Sequence, residues 1–214
     1  MKLLPRENLI KTGPVDEGDW VYRPVVGEIA RMRFRMILKL LGDGKMDRLL
    51  EIGYGSGIFL PELGKRCREL HGIDVHPMPD EVTQELAKVK TTATLKSSGA
   101  ESIPYPNGYF DAVVAVSSLE FVSDLEAVCE EIRRVLKPNG RFIFVTPGTS
   151  KVLDFGLKLL TGNDAEKDFA GRRQIVIPTT RKYFQFRRTL TAPPLIGSLL
   201  RLYLAVECES MPQQ

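Results

Sequence analysis

The sequence has few of the residues from which metal and redox sites are usually built. It contains two histidines and three cysteines in 214 residues, and Cys67, Cys129 and Cys208 are scattered along the chain. Zinc sites need several closely spaced Cys or His ligands, which this pattern does not provide. We therefore expect no metal site. The odd, scattered cysteines are typical of reduced thiols, and we predict a cytoplasmic location.

Long hydrophobic runs and a strong charge of one sign are also missing. No apolar stretch approaches the ~20 residues of a membrane-spanning helix, and the first five residues lack the apolar core of a signal peptide. The net charge of +3 is too small to favour nucleic acid as a partner. Hydrophobic residues make up 43% and charged residues 27% of the chain, as in soluble globular proteins with a full core.

The most informative stretch is a glycine-rich loop that follows a short apolar strand. Residues 47–60 read DRLLEIGYGSGIFL, with glycines at positions 53, 55 and 57 and an acid, Glu51, two residues before the first. Glycines let the backbone turn sharply out of a strand and approach a ligand closely. The helix that follows directs its amide donors at that ligand. The loop therefore predicts a site for a nucleotide-type cofactor.

Two classes of cofactor site use such a loop. The dinucleotide pattern G-x-G-x-x-G/A needs a small third residue where this chain has Ile58, which argues against an NAD-dependent oxidoreductase. A second acid, Asp74, lies 21 residues after Gly53, at the end of the next predicted strand. A carboxylate at that position accepts hydrogen bonds from both hydroxyls of an adenosine ribose, as both classes require. The spacing thus predicts ribose binding at Asp74.

Four segments in order resemble the motifs of one family. Residues 51–57, EIGYGSG, are similar to motif I (E/D-x-G-x-G-x-G) of the class I S-adenosylmethionine-dependent methyltransferases. Residues 99–105, GAESIPY, resemble the loop that holds adenine. Residues 110–113, FDAV, resemble the start of the fourth strand, and residues 134–140, RVLKPNG, resemble the end of the next helix. The resemblance covers residues 47–147 and is strongest to the type 11 branch. A dinucleotide site would not predict the last three motifs.

The resemblance implies S-adenosylmethionine as cofactor, with S-adenosylhomocysteine as product. The glycine loop would pass the methionine part, Glu51 would hold the loop or the amino group, and Asp74 would bind the ribose. The chain between 99 and 101 would border the adenine, and the end of the fourth strand would face the cofactor. The cofactor-binding residues that it implies are Glu51, Gly53, Tyr54, Gly55, Gly57, Asp74, Val75, Ala100, Glu101, Val116 and Ser117.

The implied fold is α/β. It is a Rossmann-like, doubly wound, seven-stranded sheet, mostly parallel with an antiparallel last strand, and it has helices on both faces. Apolar periodicity predicts helices at 25–41, 59–70, 77–88, 124–136 and 151–160. We expect one methyltransferase domain over 1–214. Its parts are an N-terminal arm and helix (1–41), a cofactor-binding core (47–147), a cap over the acceptor site (148–182) and closing strands (183–210).

Two departures from the family pattern concern the adenine and the reaction. Gly99 replaces the acid of the adenine loop, so the backbone of Ala100 must contribute more, and Glu101 is a hypothetical substitute. Many relatives carry a His-His pair after the fourth strand, whereas this chain has Ser117-Ser118-Leu119-Glu120. Glu120 is a candidate to take a proton from an acceptor hydroxyl. A structural acid at the start of a helix is an equally good interpretation.

The resemblance implies methyl transfer to a small-molecule or lipid-like acceptor, with O-, N- and C-methylation all open. A non-catalytic S-adenosylmethionine-binding regulatory or scaffold module is the alternative.

Basic residues carry the remaining hints about partners. Residues 170–206 have seven basic side chains and no acidic one before Glu207, which is typical of edge-strand protection and could also attract an anionic acceptor. A basic stripe on the helix at 25–41 (Arg31, Arg35, Lys39) is usually a solvated face, and it leaves peripheral membrane contact open. The sequence does not indicate the oligomeric state.

Overall fold

Seven strands form one sheet in the order β3-β2-β1-β4-β5-β7-β6. The computed structural model describes residues 1–13, 18–148, 172–193 and 201–210. Strands β1 to β5 are parallel to one another, and β7 runs antiparallel to both β5 and β6. The predicted sheet is therefore confirmed. The strands are β1 (Met46–Ile52), β2 (Cys67–Asp74), β3 (Thr94–Ser97), β4 (Phe110–Val116), β5 (Leu136–Pro147), β6 (Phe184–Ala192) and β7 (Tyr203–Ser210).

Helices cover both faces of this sheet and create two hydrophobic cores. The helices of the described residues are α1 (Val26–Leu41), α2 (Leu60–Leu63), α3 (Pro79–Lys88), α4 (Leu125–Val135) and α5 (Arg173–Tyr183). The first three pack on one face and the last two on the other. Central strand β4 is apolar without alternation, because Val113 and Val114 point to opposite faces and both are buried. None of the described helices has the length and apolar character needed to cross a bilayer.

The helix predicted at 59–70 is wrong in its second half. Helix α2 ends at Leu63, a short 3-10 turn follows, and β2 begins at Cys67. Residues 67–70 pair with β1 instead, and the Arg48 and Glu69 side chains join the two strands with an N–O distance of 3.1 Å. Sheet pairing therefore overrides the local helical pattern in this segment.

Helix α5 was not predicted. Five β-branched residues and Pro178 inside the segment disfavour a helix locally. Val176, Thr179 and Thr180 nevertheless lie at helical spacing, are buried, and pack the helix against α4. The helix predicted for 151–160 and most of the predicted cap lie outside the described residues.

Basic residues of the closing strands are paired with acids across the sheet. Arg187 contacts Glu209 at 2.8 Å, and Arg188 binds Glu207 on the neighbouring strand β7. Lys182 at the end of α5 contacts Glu126 on α4 at 2.6 Å. These pairs agree with edge-strand protection as the reason for the basic stretch.

The N-terminal arm is tied to the helices on the first face. The Leu4 amide donates to the Ile58 carbonyl at 3.0 Å, and the Tyr22 hydroxyl binds the Leu4 carbonyl. The backbone amide of Lys2 binds the carboxylate of Glu62, which also accepts from Lys65 and Arg66 at 2.7 and 3.0 Å. Burial alone would raise the pKa of Glu62, but these hydrogen bonds outweigh it and lower the pKa to about 2.

We expect Glu62→Gln to lower the free energy of unfolding by about 2 kcal/mol at pH 7, because the native state binds the carboxylate. The pKa is lower in the folded state, so this contribution is present above pH 4.5 and is lost as the pH falls towards 2. Urea unfolding at pH 7 and pH 3.5 measures it. Glu28→Gln is the control, since Glu28 also binds two arginines but is exposed. A Glu62→Gln deficit that is the same at both pH values would contradict the assignment.

Candidate functional site

The predicted cofactor residues meet at the carboxyl ends of the parallel strands, which we call the carboxyl edge. Gly53 follows β1 with a φ of +75°, and its amide donates to the Ile73 carbonyl of β2 at 2.8 Å. A Cβ at Gly53 would lie 2.5 Å from the Cβ of Ser118, after β4. The Ser118 hydroxyl donates to the Ile52 carbonyl at 2.8 Å. The ends of β1, β2 and β4 are therefore joined directly at the first glycine.

Gly57 closes the loop against helix α3. Its φ is +75°, and its amide donates to the Tyr54 carbonyl at 2.8 Å. A Cβ there would lie 2.8 Å from a methyl group of Val82 in α3. A glycine is thus needed at this position both for its backbone conformation and for helix packing.

Asp74 and His76 hold the middle of the loop from the side of β2. One carboxylate oxygen of Asp74 accepts from the Gly55 amide at 2.8 Å, and the other lies 3.3 Å from the His76 amide. The ring Nε2 of His76 lies 3.1 Å from the Gly55 carbonyl. Asp74 is thus a brace for the loop as well as the predicted ribose ligand. A carboxylate has about four lone-pair sites, so it retains acceptor capacity for hydroxyl groups.

Tyr54 contributes its backbone to the loop and its side chain to the core beneath it. The ring is buried against Gly72 of β2, and it meets the His76 ring edge-on with 4.9 Å between centroids. Its hydroxyl has no hydrogen-bond partner among the described residues, and burial raises its pKa. The side chain therefore supports the loop from below.

Glu51 is a buried carboxyl with an unused oxygen. It lies in β1 between Gly72 and Val114 of the flanking strands and is 3% exposed. Its Oε2 lacks a hydrogen-bond partner in the described part of the chain. Burial, and then the negative charge of Asp74, raise its pKa to about 8, while Arg33 acts in the opposite direction. A cationic group placed beside it would find an acceptor.

Val75 and the loop at 99–101 form the predicted adenine side. Val75 is 77% exposed at the end of β2, whereas Ala100 is buried. The Glu101 carboxylate accepts from the amide and hydroxyl of Ser123 at 3.2 and 2.9 Å. A Cβ at Gly99 would lie 2.9 Å from the other Glu101 oxygen. Glu101 therefore fills the space in front of Gly99, and it also holds the turn before α4.

Burial alone would raise the pKa of Glu101, but hydrogen bonds from its own backbone amide and from Ser123 outweigh it and lower the pKa. The carboxylate is thus held in its charged form at Gly99. This position agrees with the hypothesis that Glu101 substitutes for the missing acid of the adenine loop.

The segment after β4 is strained and holds unpaired polar groups. Val116 ends the strand, and Ser117 follows with a φ of +53°. The Ser117 amide donates to the Val145 carbonyl at 2.9 Å, but its hydroxyl is buried without a partner. Backbone strain of this kind is commonly found at functional sites.

Glu120 is completely buried, and neither carboxyl oxygen makes a hydrogen bond of normal geometry with a described residue. Burial raises its pKa to about 6, while the Thr146 hydroxyl, the Glu120 amide, Arg33 and Arg173 partly offset the effect. Leaving one buried polar group unpaired costs about 1–3 kcal/mol. Glu120 is therefore a buried acid with unused hydrogen-bonding capacity among the described residues.

Two residues near this site were missed by sequence reasoning. Thr146 is buried at the end of β5, and its hydroxyl makes no hydrogen bond of normal geometry in the part of the chain described, although it lies near enough to Glu120 to lower the pKa of that carboxyl. It is a polar residue after an apolar run, the same signal that identified Asp74. Arg33 on α1 lowers the pKa of both Glu51 and Glu120. The sequence pattern placed Arg31, Arg35 and Lys39 in a basic stripe and did not single out Arg33.

The family comparison matches the central part of the chain. Residues 50–144 match the family model described as "Methyltransferase domain". An uncharacterized methyltransferase, YdaC, of Bacillus subtilis is 31% identical over 47% of this chain and 56% of its own length. A demethylmenaquinone methyltransferase of Tropheryma whipplei is 28% identical over 51% of this chain and 45% of its own length. The chain thus spans about half the length of these curated relatives.

Solved structures share the fold over most of the chain. The N-methyltransferase NodS of Bradyrhizobium japonicum, in complex with S-adenosylhomocysteine, superposes with a TM-score of 0.63 and 17% identity over 94% of this chain and 95% of its own. A geranyl diphosphate C-methyltransferase of Streptomyces coelicolor superposes with a TM-score of 0.67 and 14% identity, over 97% and 89%. At these identities the likeness concerns the fold.

We expect Glu120→Gln to gain stability relative to the unmodified protein as the pH rises. The pKa of Glu120 is raised from 4.5 to about 6 in the folded state, so its stabilising contribution is complete below pH 4.5 and is lost as the pH passes 6. The difference in free energy of unfolding should move towards the variant by about 1–2 kcal/mol between pH 4.5 and 7.5. Urea unfolding at both pH values measures it, and a constant difference would refute the assignment.

Proposed function

We propose that this chain, in which residues 50–144 form a class I S-adenosylmethionine-dependent methyltransferase domain of the type 11 branch, binds S-adenosylmethionine at the carboxyl edge and methylates a small-molecule or lipid-like acceptor. The observation that carries the proposal is the braced loop at 53–57. The loop follows Glu51, which has an unused carboxyl oxygen, and its Gly55 amide is bound by Asp74 at the end of β2.

The residues present fit this cofactor at three points. The unpartnered Glu51 oxygen is an acceptor for an ammonium group, and Asp74 has lone pairs left for ribose hydroxyls. Val75 offers an exposed apolar surface after β2, against which a flat adenine ring would pack. When bound, S-adenosylmethionine supplies an electrophilic methyl group on its sulfonium.

The chain would contribute mainly by positioning the reactants and excluding water. The ends of strands β4 and β5 and the turn after β4 supply Ser117, Glu120 and Thr146. Their buried polar groups are candidates to accept or donate a proton. With a pKa of about 6, Glu120 is ionised at neutral pH and can accept a proton from an acceptor hydroxyl. We propose the segment at 148–182 as the cover of the acceptor side.

The names of the relatives support this class of acceptor. Those matched here include methyltransferases of demethylmenaquinone, of sterols and of malonyl-acyl-carrier protein. These acceptors differ in the atom methylated, so the proposal includes O-, N- and C-methylation. A non-catalytic cofactor-binding module would not require the unpaired Glu120, which favours the enzyme.

Titration calorimetry with S-adenosylmethionine, S-adenosylhomocysteine and NADH tests the proposal. We expect the two adenosyl compounds to bind and NADH not to bind. Binding of NADH alone would overturn it. A radiolabelled methyl donor, incubated with quinols, sterols and acyl thioesters, then separates an enzyme from a binding module, which would bind the donor without labelling any acceptor.

We expect Asp74→Asn to weaken S-adenosylhomocysteine binding by ten-fold or more, equivalent to about 1.4 kcal/mol, because one acceptor oxygen for the ribose is lost. The asparagine oxygen can still accept from the Gly55 amide, so the loop should keep its brace. Asp80→Asn is the matched control, since it removes the same charge from an exposed position at the start of α3. Equal affinities of Asp74→Asn and the control would refute the role of Asp74.

We also expect cofactor binding to release a proton near neutral pH. The pKa of Glu51 is about 8 in the ligand-free protein, so the carboxyl is mostly protonated at pH 7, and an adjacent ammonium group would lower that pKa. Calorimetry of S-adenosylhomocysteine binding in buffers of different ionisation enthalpy counts the protons released. Glu51→Gln should abolish the release, and an unchanged proton count in that variant would contradict the assignment.

A further inference from the structure

The guanidinium of Arg134 joins helix α4 to the segment before β4. It makes five hydrogen bonds, one for each of its N–H groups. Its Nε and one terminal nitrogen bind the two carboxylate oxygens of Glu131 at 2.6 and 2.8 Å. The terminal nitrogens also donate to the Ile103 and Tyr105 carbonyls, both at 2.8 Å, and to the Asn107 side chain at 2.9 Å. Every donor of Arg134 is thus in use.

Glu131 binds the same segment, which contains the predicted adenine loop (99–105). It lies one helical turn before Arg134, and its carboxylate accepts from the Ile103 amide at 2.7 Å. Arg134 binds the Ile103 carbonyl, so both backbone groups of this buried residue are held by side chains of α4. We call Glu131 and Arg134 the loop clamp. The clamp fixes a segment that has no helix or strand of its own to satisfy its backbone.

The clamped residue directly follows the turn that would border adenine. This turn, at 99–102, is closed by a hydrogen bond of 3.3 Å from the amide of its last residue to the carbonyl of its first. Within it, the Glu101 carboxylate accepts from the amide and hydroxyl of Ser123, just before α4 begins. Contacts near the two ends of α4 therefore hold the turn around Ala100, one through Ser123 and the other through Ile103.

The stretch RVLKPNG contains a second basic residue with a different partner. Lys137 pairs with Asp111 of β4 at 2.6 Å, whereas Arg134 binds the adenine loop. Their side chains are equally accessible, with 29% of Lys137 and 32% of Arg134 exposed. Lys137 thus provides a matched comparison for Arg134 within one short stretch of chain.

We propose that Arg134 and Glu131 are positioning residues for the recognition of adenine, acting through the loop that they clamp. This inference rests on the proposed function and adds to it two residues of a helix outside the cofactor site. Hydrogen bonds from a guanidinium are stronger than those between neutral groups, and its planar fork fixes their directions. A loop held in this way before binding loses less entropy when the cofactor binds, and it adapts less readily to another base.

Two ligands that differ only in the base test this role by calorimetry. S-adenosylhomocysteine carries adenine, whereas S-inosylhomocysteine has an oxygen in place of the exocyclic amine and a proton on N1. We expect the unmodified protein to prefer S-adenosylhomocysteine by about ten-fold or more. Arg134→Met should weaken S-adenosylhomocysteine binding by about ten-fold and leave S-inosylhomocysteine within about two-fold, because only contacts specific to adenine depend on the loop. Lys137→Met is the matched control and should keep the preference.

A milder variant guards against a loss of folding. Glu131→Gln keeps an acceptor oxygen for the Ile103 amide but removes the charge that binds Arg134. We expect faster hydrogen exchange in the peptide covering 99–105, a smaller loss of preference for adenine, and thermal unfolding equal to that of Lys137→Met. If Arg134→Met does not fold, the preference of Glu131→Gln relative to Lys137→Met decides the question.

Three results would overturn the role of the clamp and leave cofactor binding standing. They are a preference that the folded clamp variants keep, equal weakening of both ligands, and an unmodified protein that does not distinguish the two bases. Failure of the unmodified protein to bind S-adenosylhomocysteine would instead overturn the proposed function.

Discussion

The hydrogen bond from the Gly55 amide to the Asp74 carboxylate is the interaction on which the candidate site depends. It joins the loop after β1 to the end of β2 at 2.8 Å. His76 secures the same glycine through its carbonyl, and the Gly53 amide binds the Ile73 carbonyl one step away. These contacts set the loop over the sheet before any ligand arrives. A cofactor would therefore meet a preformed surface, which lowers the entropy cost of binding.

The charges around this loop are arranged for a cationic, adenosine-like ligand. Glu51 and Asp74 place two carboxyls on one edge, and the negative charge of Asp74 helps to raise the pKa of Glu51. Repulsion between these carboxyls destabilises the site without a ligand, and a bound cation would reduce that repulsion. The sulfonium and ammonium of a methyl donor would both provide that relief. Arg33 acts in the opposite direction and lowers the pKa of both Glu51 and Glu120.

Sequence patterns predicted the elements whose signals are local. The continuous apolar run of β4 and the glycine loop of β1 require particular residues wherever they occur, and the structure has both. The helix predicted at 59–70 failed because pairing of Cys67–Leu70 with β1 is a long-range contact. Helix α5 was missed because its stability comes from packing on α4, which outweighs Pro178. Arg33 looked like one basic residue among several, and only the three-dimensional environment separates it from Arg31 and Arg35. The unpaired oxygens of Glu120 likewise depend on burial by strands distant in sequence.

The order of the last strands constrains how the chain can be assembled. Strand β7 lies between β5 and β6, and β6 has no other neighbour among the described strands. During synthesis on the ribosome, β6 therefore emerges before the strand to which it must pair. Strand β6 cannot pair until residues 203–210 have left the exit tunnel. Until then its hydrophobic side chains must be covered by α5 or by a chaperone. The half of the sheet that carries the cofactor loop has no such dependence, so nascent chains would complete β1 to β4 well before the closing strands.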